Sequence, residues 1–436
     1  MNFYFLSFFL DIILIFFIFL GDYFNFFLIK KKIGLFDIFH IFYITAEDIM
    51  KEDFLSLISL SFFLNSFLKS NSLQSFLFYK KEKIKKNRYF FLFIITLFVS
   101  FLSSNFSWFD EFIYLYSLLS PFFLLMGFNK FSSFLCIYGG SISGLLGLTS
   151  SWRIEKYFNK CGIVYNNKKV DSFLFFFYLL LTSFFVTFIF NIFYSKKNQK
   201  NAKKGFYKKN EKLFFDVEKK IVFFLFIITF FLSIFSRIFI FNIFSSKIFP
   251  EFLNTKWESF GNWGLMSIDC LFIVSGIFIS LISKKKIMEN LIESIIMSIP
   301  SLLIIIFSSV PSTIIKITEL KIKNDLKNYN DFILLNLIFF FSILISFFFN
   351  STSLIESIFL LVKNNLNKRI LFHGVIFSWI GGIIGTCFSP YNGTLINSLL
   401  EIKSTYNYFI KKTYILWIIL FFLSWFFIFL EIKKSI

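Results

Sequence analysis

Apolar runs of about 20 residues follow one another along the whole chain, and no other feature limits the possible folds so strongly. That length carries an α-helix across the hydrocarbon of a bilayer. Few other backbone shapes are tolerated there, because nothing in the lipid answers unpaired N–H and C=O groups. Candidate spans fall near 3–20, 54–68, 89–104, 109–126, 131–149, 172–194, 221–244, 263–283, 294–315, 332–349, 370–388 and 413–431. The 436 residues are 57% hydrophobic and 16% charged, with a mean hydropathy of +0.73, against about a quarter charged in a soluble domain. These figures exclude a soluble enzyme, a nucleic-acid binder and a disordered scaffold. They predict an all-α, polytopic membrane protein of about 10–12 membrane segments, multi-pass in the cell membrane with the lipid bilayer as its solvent.

The run Phe3 to Leu20 lacks a charged start and a small-residue cleavage site, so it reads as a retained anchor or first span. The stretches 54–68, 294–315 and 350–362 are short or carry polar breaks. Interrupted segments of this kind predict re-entrant hairpins and broken helices, tolerated where protein or a water-filled cavity covers them.

Lys and Arg number 45 against 26 Asp and Glu, a net charge of +19. The positive residues sit in short runs between apolar segments, which marks cytoplasmic loops and not a nucleic-acid surface. The densest run, residues 196–220, holds ten lysines against Glu211, Asp216 and Glu218 and divides the chain into a first repeat (1–195) and a second (221–436). Only four arginines (Arg88, Arg153, Arg237, Arg369) and two alanines (Ala46, Ala202) accompany 77 phenylalanines, the pattern of AT-biased codons in a reduced bacterial or organellar genome. The Phe excess is therefore discounted as a functional signal and assigned largely to lipid-facing positions. Cys136, Cys161, Cys270 and Cys387 are scattered, and His40 and His373 are the only histidines. No metal ligands, haem or other cofactor are expected. Without a nucleophile–His pairing no catalytic residues are assigned either, and an enzyme is not expected.

The two halves run in parallel. Gly139-Gly140 corresponds to Gly381-Gly382 at an offset of 242, and each pair opens a small, polar stretch. Asn105-Phe106-Ser107 mirrors Asn350-Ser351-Thr352-Ser353, and Ala46 to Met50 mirrors Lys286 to Asn290. Matches in the same order at nearly one offset point to an internal duplication, here two inverted repeats.

Three segments carry the polar chemistry. In Ser104 to Glu111, Asp110 and Glu111 open an apolar run, either facing a pathway or forming a solvated helix start. Gly139 to Ser151 ends in Thr149-Ser150-Ser151, with glycines that serve an unwound backbone or plain helix packing. Thr386 to Thr394 contains Pro390 and Gly393, which break a helix between apolar spans and favour a re-entrant turn lining a site. The substrate-binding set is Asn105, Ser107, Glu111, Thr149, Ser150, Ser351, Thr352, Ser353, Ser389, Asn392 and Gly393. Asp269, Arg237 and Glu356 are secondary pathway candidates, and His373 reads as a packed or interfacial histidine.

The ordered motifs resemble the YfcC-like, C4-dicarboxylate anaerobic carrier group of the ion-transporter superfamily across nearly the whole length. Gly34-Leu35-Phe36-Asp37-Ile38-Phe39 fits its Gly-x-Phe-Asp-x-Phe motif; Trp108 to Glu111, Gly127-Phe128-Asn129 and Tyr194-Ser195-Lys196-Lys197 resemble its later first-half motifs. Lys285 to Ser294, Asn350 to Glu356 and Ser389-Pro390-Tyr391-Asn392-Gly393 resemble its second half, followed by Tyr406 or Tyr408. Departures are Ser150-Ser151-Trp152 in place of Asn-Pro, Ser309-Val310-Pro311 in place of Ala-Arg-Gly, and Asn350 in place of a proline. The resemblance implies a secondary transporter of a small charged metabolite, an amino acid in arginine/ornithine-type exchange or a C4-dicarboxylate. Its small-molecule substrate would bind between the half-chains, with H+ or Na+ as coupling ion and a homodimer as the assembly. The competing class is a diverged, non-transporting membrane subunit of an organellar respiratory complex; lysines confined to loops favour the carrier.

Overall fold

The computed structural model describes residues 9, 11–16, 18, 27–28, 31, 34, 37–52, 54–109, 112–149, 151–163, 165–197, 215–236, 263–318, 321–322, 330–349, 352–362, 366 and 368–435. They are almost entirely helical; the one sheet among them is a two-residue antiparallel pairing of β1 (Phe27–Leu28) with β2 (Lys321–Ile322). The helices of the first half are α1 (Asp37–Glu52), α2 (Phe54–Lys69), α3 (Ser72–Tyr79), α4 (Lys81–Lys86), α5 (Arg88–Phe106), α6 (Ile113–Leu125), α7 (Lys130–Leu146), α8 (Trp152–Lys160) and α9 (Tyr165–Lys197). Those of the second half are α10 (Val217–Phe235), α11 (Leu265–Ile282), α12 (Ile287–Thr318), α13 (Asp331–Phe349), α14 (Thr352–Val362), α15 (Lys368–Phe388), α16 (Gly393–Glu401) and α17 (Tyr406–Ser435).

Among the described residues seven stretches are long and apolar enough to cross a bilayer: Arg88–Phe106, Phe173–Lys197, Leu265–Ile282, Ile287–Thr318, Asp331–Phe349, Leu371–Glu401 (α15 and α16 with the turn between them) and Tyr406–Glu431. This is the architecture of a multi-pass membrane protein. The sequence count of 10–12 also included 54–68, 109–126 and 131–149; there the helices α2, α6 and α7 are 16, 13 and 17 residues long. Residues 198–214, most of the basic linker, lie outside the described residues, as do Arg237 and most of the run Phe3 to Leu20.

Local chemistry sets several helix ends. Helix α6 stops at Gly127, whose φ of +79° an L side chain rarely adopts. Phe128 N–H reaches back to Phe123 C=O at 3.0 Å, the six-to-one bond that closes such a terminus. Asn129 then starts α7 by accepting from Ser132 N–H at 2.8 Å. The Gly-Phe-Asn motif is thus an αα connection.

Packing falls into two groups. In one, α2 lies against α11 and α12, with α1 on α12 and α10 on α11. Polar side chains run through its apolar interior: Asn65 to Asn290 C=O at 3.1 Å, Ser61 to Ser294 C=O at 3.0 Å, Ser280 to Ser66 at 3.0 Å and Thr45 to Thr313 at 2.9 Å. Phenylalanine fills the rest, with Phe67 stacked on Phe226 at 3.8 Å between ring centroids and Phe63 against Phe226, Phe230 and Phe272. The Phe excess therefore builds the interior as well as the lipid-facing surface: Phe63 and Phe67 are fully buried, while Phe193 and Phe224 are exposed.

The other group joins α5 to α7 and α9, and α13 to α15, with α17 on α9 and α15. Its closest approaches are made by glycines. A Cβ on Gly144 would run into Ser100 C=O and Ser103; on Gly385 it would run into Ile343 C=O and Ser346. One turn earlier, Gly140 faces Thr96 C=O and Val99, and Gly381 faces Phe339 C=O and Ser342. The pairs correspond at an offset of 241 in the glycine helices and 243 in the facing helices. By these contacts Gly140, and not Gly139, matches Gly381, an offset of 241 where the sequence pairing uses 242.

Gly144→Ala and Gly385→Ala are each expected to cost about 1–3 kcal/mol through overpacking against backbone. Gly139→Ala, whose Cβ would sit 3.5 Å from Thr187, is expected to be neutral. Thermal unfolding of the three variants in detergent, followed by tryptophan fluorescence, checks the contrast.

Candidate functional site

Two helices of the second group are interrupted. The first break, residues 147–151, separates α7 from α8; the second, residues 389–392, separates α15 from α16. At each break a helix C-terminus presents carbonyls without an i+4 donor, and a new helix presents N–H groups without an acceptor. Inside a membrane protein each of these groups needs a partner.

At the first break Ser104, at the end of α5, supplies most of the answer. Its hydroxyl donates to Gly147 C=O at 2.5 Å and accepts Thr149 N–H at 3.1 Å. With its single proton so used, the 2.9 Å contact to Thr149 Oγ1 is donated by the threonine. Ser103 Oγ lies 2.9 Å from Trp108 C=O and 2.7 Å from Ser141 C=O, with one proton to donate between them. Ser107 ends α5 with φ +57°, a left-handed conformation uncommon outside glycine, and hydrogen-bonds Ser151. Ser151 caps α8 by accepting from Arg153 N–H, and the Arg153 guanidinium reaches Ser107 C=O at 3.4 Å.

At the second break three successive carbonyls are each taken by a different side chain. Thr386 C=O accepts from Asn392 Nδ2 at 2.9 Å, Cys387 C=O from Tyr138 at 3.1 Å, and Phe388 C=O from Tyr406 at 2.6 Å. The Asn392 oxygen caps α16 through Leu395 N–H at 2.9 Å. Ser389 donates to Phe347 C=O at 2.6 Å, tying the break to the end of α13. Gly393 is the first residue of α16.

The two helices that end at the breaks cross antiparallel, so each break lies beside the middle of the other helix. Tyr138, midway along α7, reaches the last turn of α15, and Trp379, midway along α15, donates to Leu145 C=O in the last turn of α7 at 3.2 Å. The two contacts lie seven residues apart on α7, about 10 Å of helix. Each short helix after a break crosses to the other half: α8 packs on α15 and α16 on α6 and α7. Tyr157 of α8 hydrogen-bonds Ser378 at 2.7 Å, and Lys160 pairs with Glu356 of α14 at 3.1 Å.

The structure thus brings Ser107 and Thr149 together at the first break, with Asn105 one turn away, and Ser389, Asn392 and Gly393 at the second. Asn105 is fully buried; its amide donates to Phe101 C=O, and its Oδ1 meets no protein partner. Thr386 Oγ1 at the second break is likewise buried and unpartnered. Thr352 and Ser353 are the first residues of α14, while Glu111, Ser150 and Ser351 lie outside the described residues. Asp269 belongs elsewhere, buried in the first packing group where Ser59 donates to it at 2.9 Å. His373 sits on α15 against Phe372 and Phe377, as a packed histidine would. Ser104 opens the first polar segment but stands outside the substrate-binding set, and Ser103 and Arg153 carry no sequence assignment, although two serines beside Asn105 at the end of an apolar run are a usable signal. Nothing in the sequence singles out Tyr138 or Trp379, while Tyr406 enters only through the family resemblance, beside Tyr408.

Comparison with family models, with curated proteins and with solved structures finds no match.

Ser104→Ala leaves Gly147 C=O and Thr149 N–H without their partner and is expected to cost about 1–3 kcal/mol. Ser100→Ala removes only a bond to its own helix at Thr96 C=O and is expected to be neutral. Thermal unfolding of the pair separates the two effects.

Proposed function

We propose that this multi-pass membrane protein is a secondary active transporter of a small charged metabolite. The observation that carries the reading is the pair of antiparallel broken helices, each holding a helix C-terminus and a capped helix N-terminus beside the end of a preceding helix. Transporters use such half-helix ends at the membrane midplane: N-termini attract anionic groups, and C-terminal carbonyls hold cationic groups or coupling ions.

Two inverted repeats account for the matching glycine contacts, for the opposite senses of α7 and α15, and for the reciprocal crossing of α8 and α16. On that reading the turn at 389–392, with Pro390 and Gly393, is a re-entrant turn lining the site. Either an elevator or a rocking motion fits, because α12 packs on α14 and α16 and the two packing groups share one apolar core. The basic linker lies in the cytoplasm, and the membrane is the cell membrane.

The cargo is an amino acid, in arginine/ornithine-type exchange. A zwitterion offers a carboxylate to an N-terminus and an ammonium to a C-terminus, both of which each break contains. The buried, unpartnered Asn105 Oδ1 and Thr386 Oγ1 add acceptors suited to an ammonium or guanidinium. A C4-dicarboxylate, the alternative cargo implied by the family resemblance, would use the N-termini and leave these acceptors unanswered.

Counterflow in proteoliposomes tests the proposal, with ornithine inside and labelled arginine outside, and succinate against fumarate as the competing pair. Asn105→Ala and Asn392→Ala are expected to lower arginine counterflow about tenfold, equivalent to the loss of about 1.4 kcal/mol of binding. Succinate counterflow without arginine counterflow would replace the cargo. No counterflow of either pair would replace the transporter with a structural subunit.

A further inference from the structure

The contacts of Tyr138 and Trp379 form a reciprocal set. Tyr138 stands on the helix that ends at the first break, yet its hydroxyl answers Cys387 C=O at the second. Trp379 stands on the helix that ends at the second break, yet its indole N–H answers Leu145 C=O at the first. Both carbonyls belong to the last turn of an apolar helix, where the backbone has run out of its own donors. Both side chains are buried, so water does not stand in for either donor. The two residues correspond at an offset of 241, the same that relates Gly140 to Gly381 and Gly144 to Gly385.

We propose that Tyr138 and Trp379 are positioning residues that lock the two helix breaks to each other, so that neither rearranges alone. If the last turn of α15 unwinds or swings, Cys387 C=O leaves the Tyr138 hydroxyl. The shift of α15 also carries Trp379 off Leu145 C=O, which opens the first break. The same sequence runs in reverse from α7. A group bound at one break therefore alters the other through a two-ended contact. Tyr406 offers the contrast, because it answers Phe388 C=O from α17, in the same half as the break it serves.

The locking stands on these contacts whether or not the protein transports, and it is read without cargo. Hydrogen–deuterium exchange with mass spectrometry on the full chain in nanodiscs compares Tyr138→Phe, Trp379→Phe, their double variant and Tyr406→Phe. The tyrosine variants lose only a hydroxyl, whereas Trp379→Phe also loses the second ring of a buried indole, so Tyr138→Phe is the decisive single variant. Each single variant at the crossing is expected to speed exchange about five- to a hundredfold at both breaks, at the amides of Thr149 and Arg153 and of Ser389, Tyr391 and Leu395. The double variant should add little to the larger single effect, and Tyr406→Phe should act at the second break only. Faster exchange confined to the break each residue touches, additive effects in the double variant, or no change overturns the locking. Should one variant fail to fold, the other still reports on the break it does not touch. Because no counterflow enters this readout, a failed transport assay and a failed lock are separate results.

Discussion

Backbone carbonyls at helix ends that have lost their i+4 donors set the terms for the rest of this molecule. At the first break Leu145 and Gly147 are answered by Trp379 and Ser104; at the second, Thr386, Cys387 and Phe388 are answered by Asn392, Tyr138 and Tyr406. An orphaned carbonyl in such surroundings costs about as much as a well-made hydrogen bond contributes, and often more. A break is therefore permitted only where donors arrive from other helices. That requirement brings the end of α5 onto α7, joins the end of α13 to Ser389, and makes α7 and α15 cross.

The two packing groups differ in how they use polar residues. Among α1, α2, α10, α11 and α12, serines, asparagines and threonines link one intact helix to another, and the helices themselves run on. Around the breaks, the same residue types are spent on backbone that has no helical partner. A serine in an apolar run thus has two distinct meanings here, and only its neighbour's hydrogen-bonding state separates them.

Much of this was legible in the amino-acid order. Span positions follow from apolar length, so most helices fall where the hydropathy runs lie. The breaks were visible because glycine, proline and small polar residues are conspicuous between such runs. Which of two adjacent glycines makes the contact was not legible, since Gly139 and Gly140 look alike until Thr96 and Val99 are seen facing the second. Tyr138 and Trp379 were hidden for a different reason. Where 23% of residues are aromatic, a ring in an apolar span carries no signal, and its function rests on one polar atom whose target lies about 240 residues away.

The glycine contacts also bear on how this sequence tolerates change. A chain rich in Phe, Ile, Lys and Asn has the look of one pushed hard by mutation toward AT-rich codons, and glycine codons run against that push. Where a helix face meets lipid, almost any apolar residue serves, and drift goes unopposed. At Gly144 and Gly385 a single added carbon would strike the carbonyl of the next helix, so substitution there is removed by steric exclusion before any question of activity arises. The small residues that meet a neighbouring backbone therefore mark the interior of this chain more sharply than its apolar residues do.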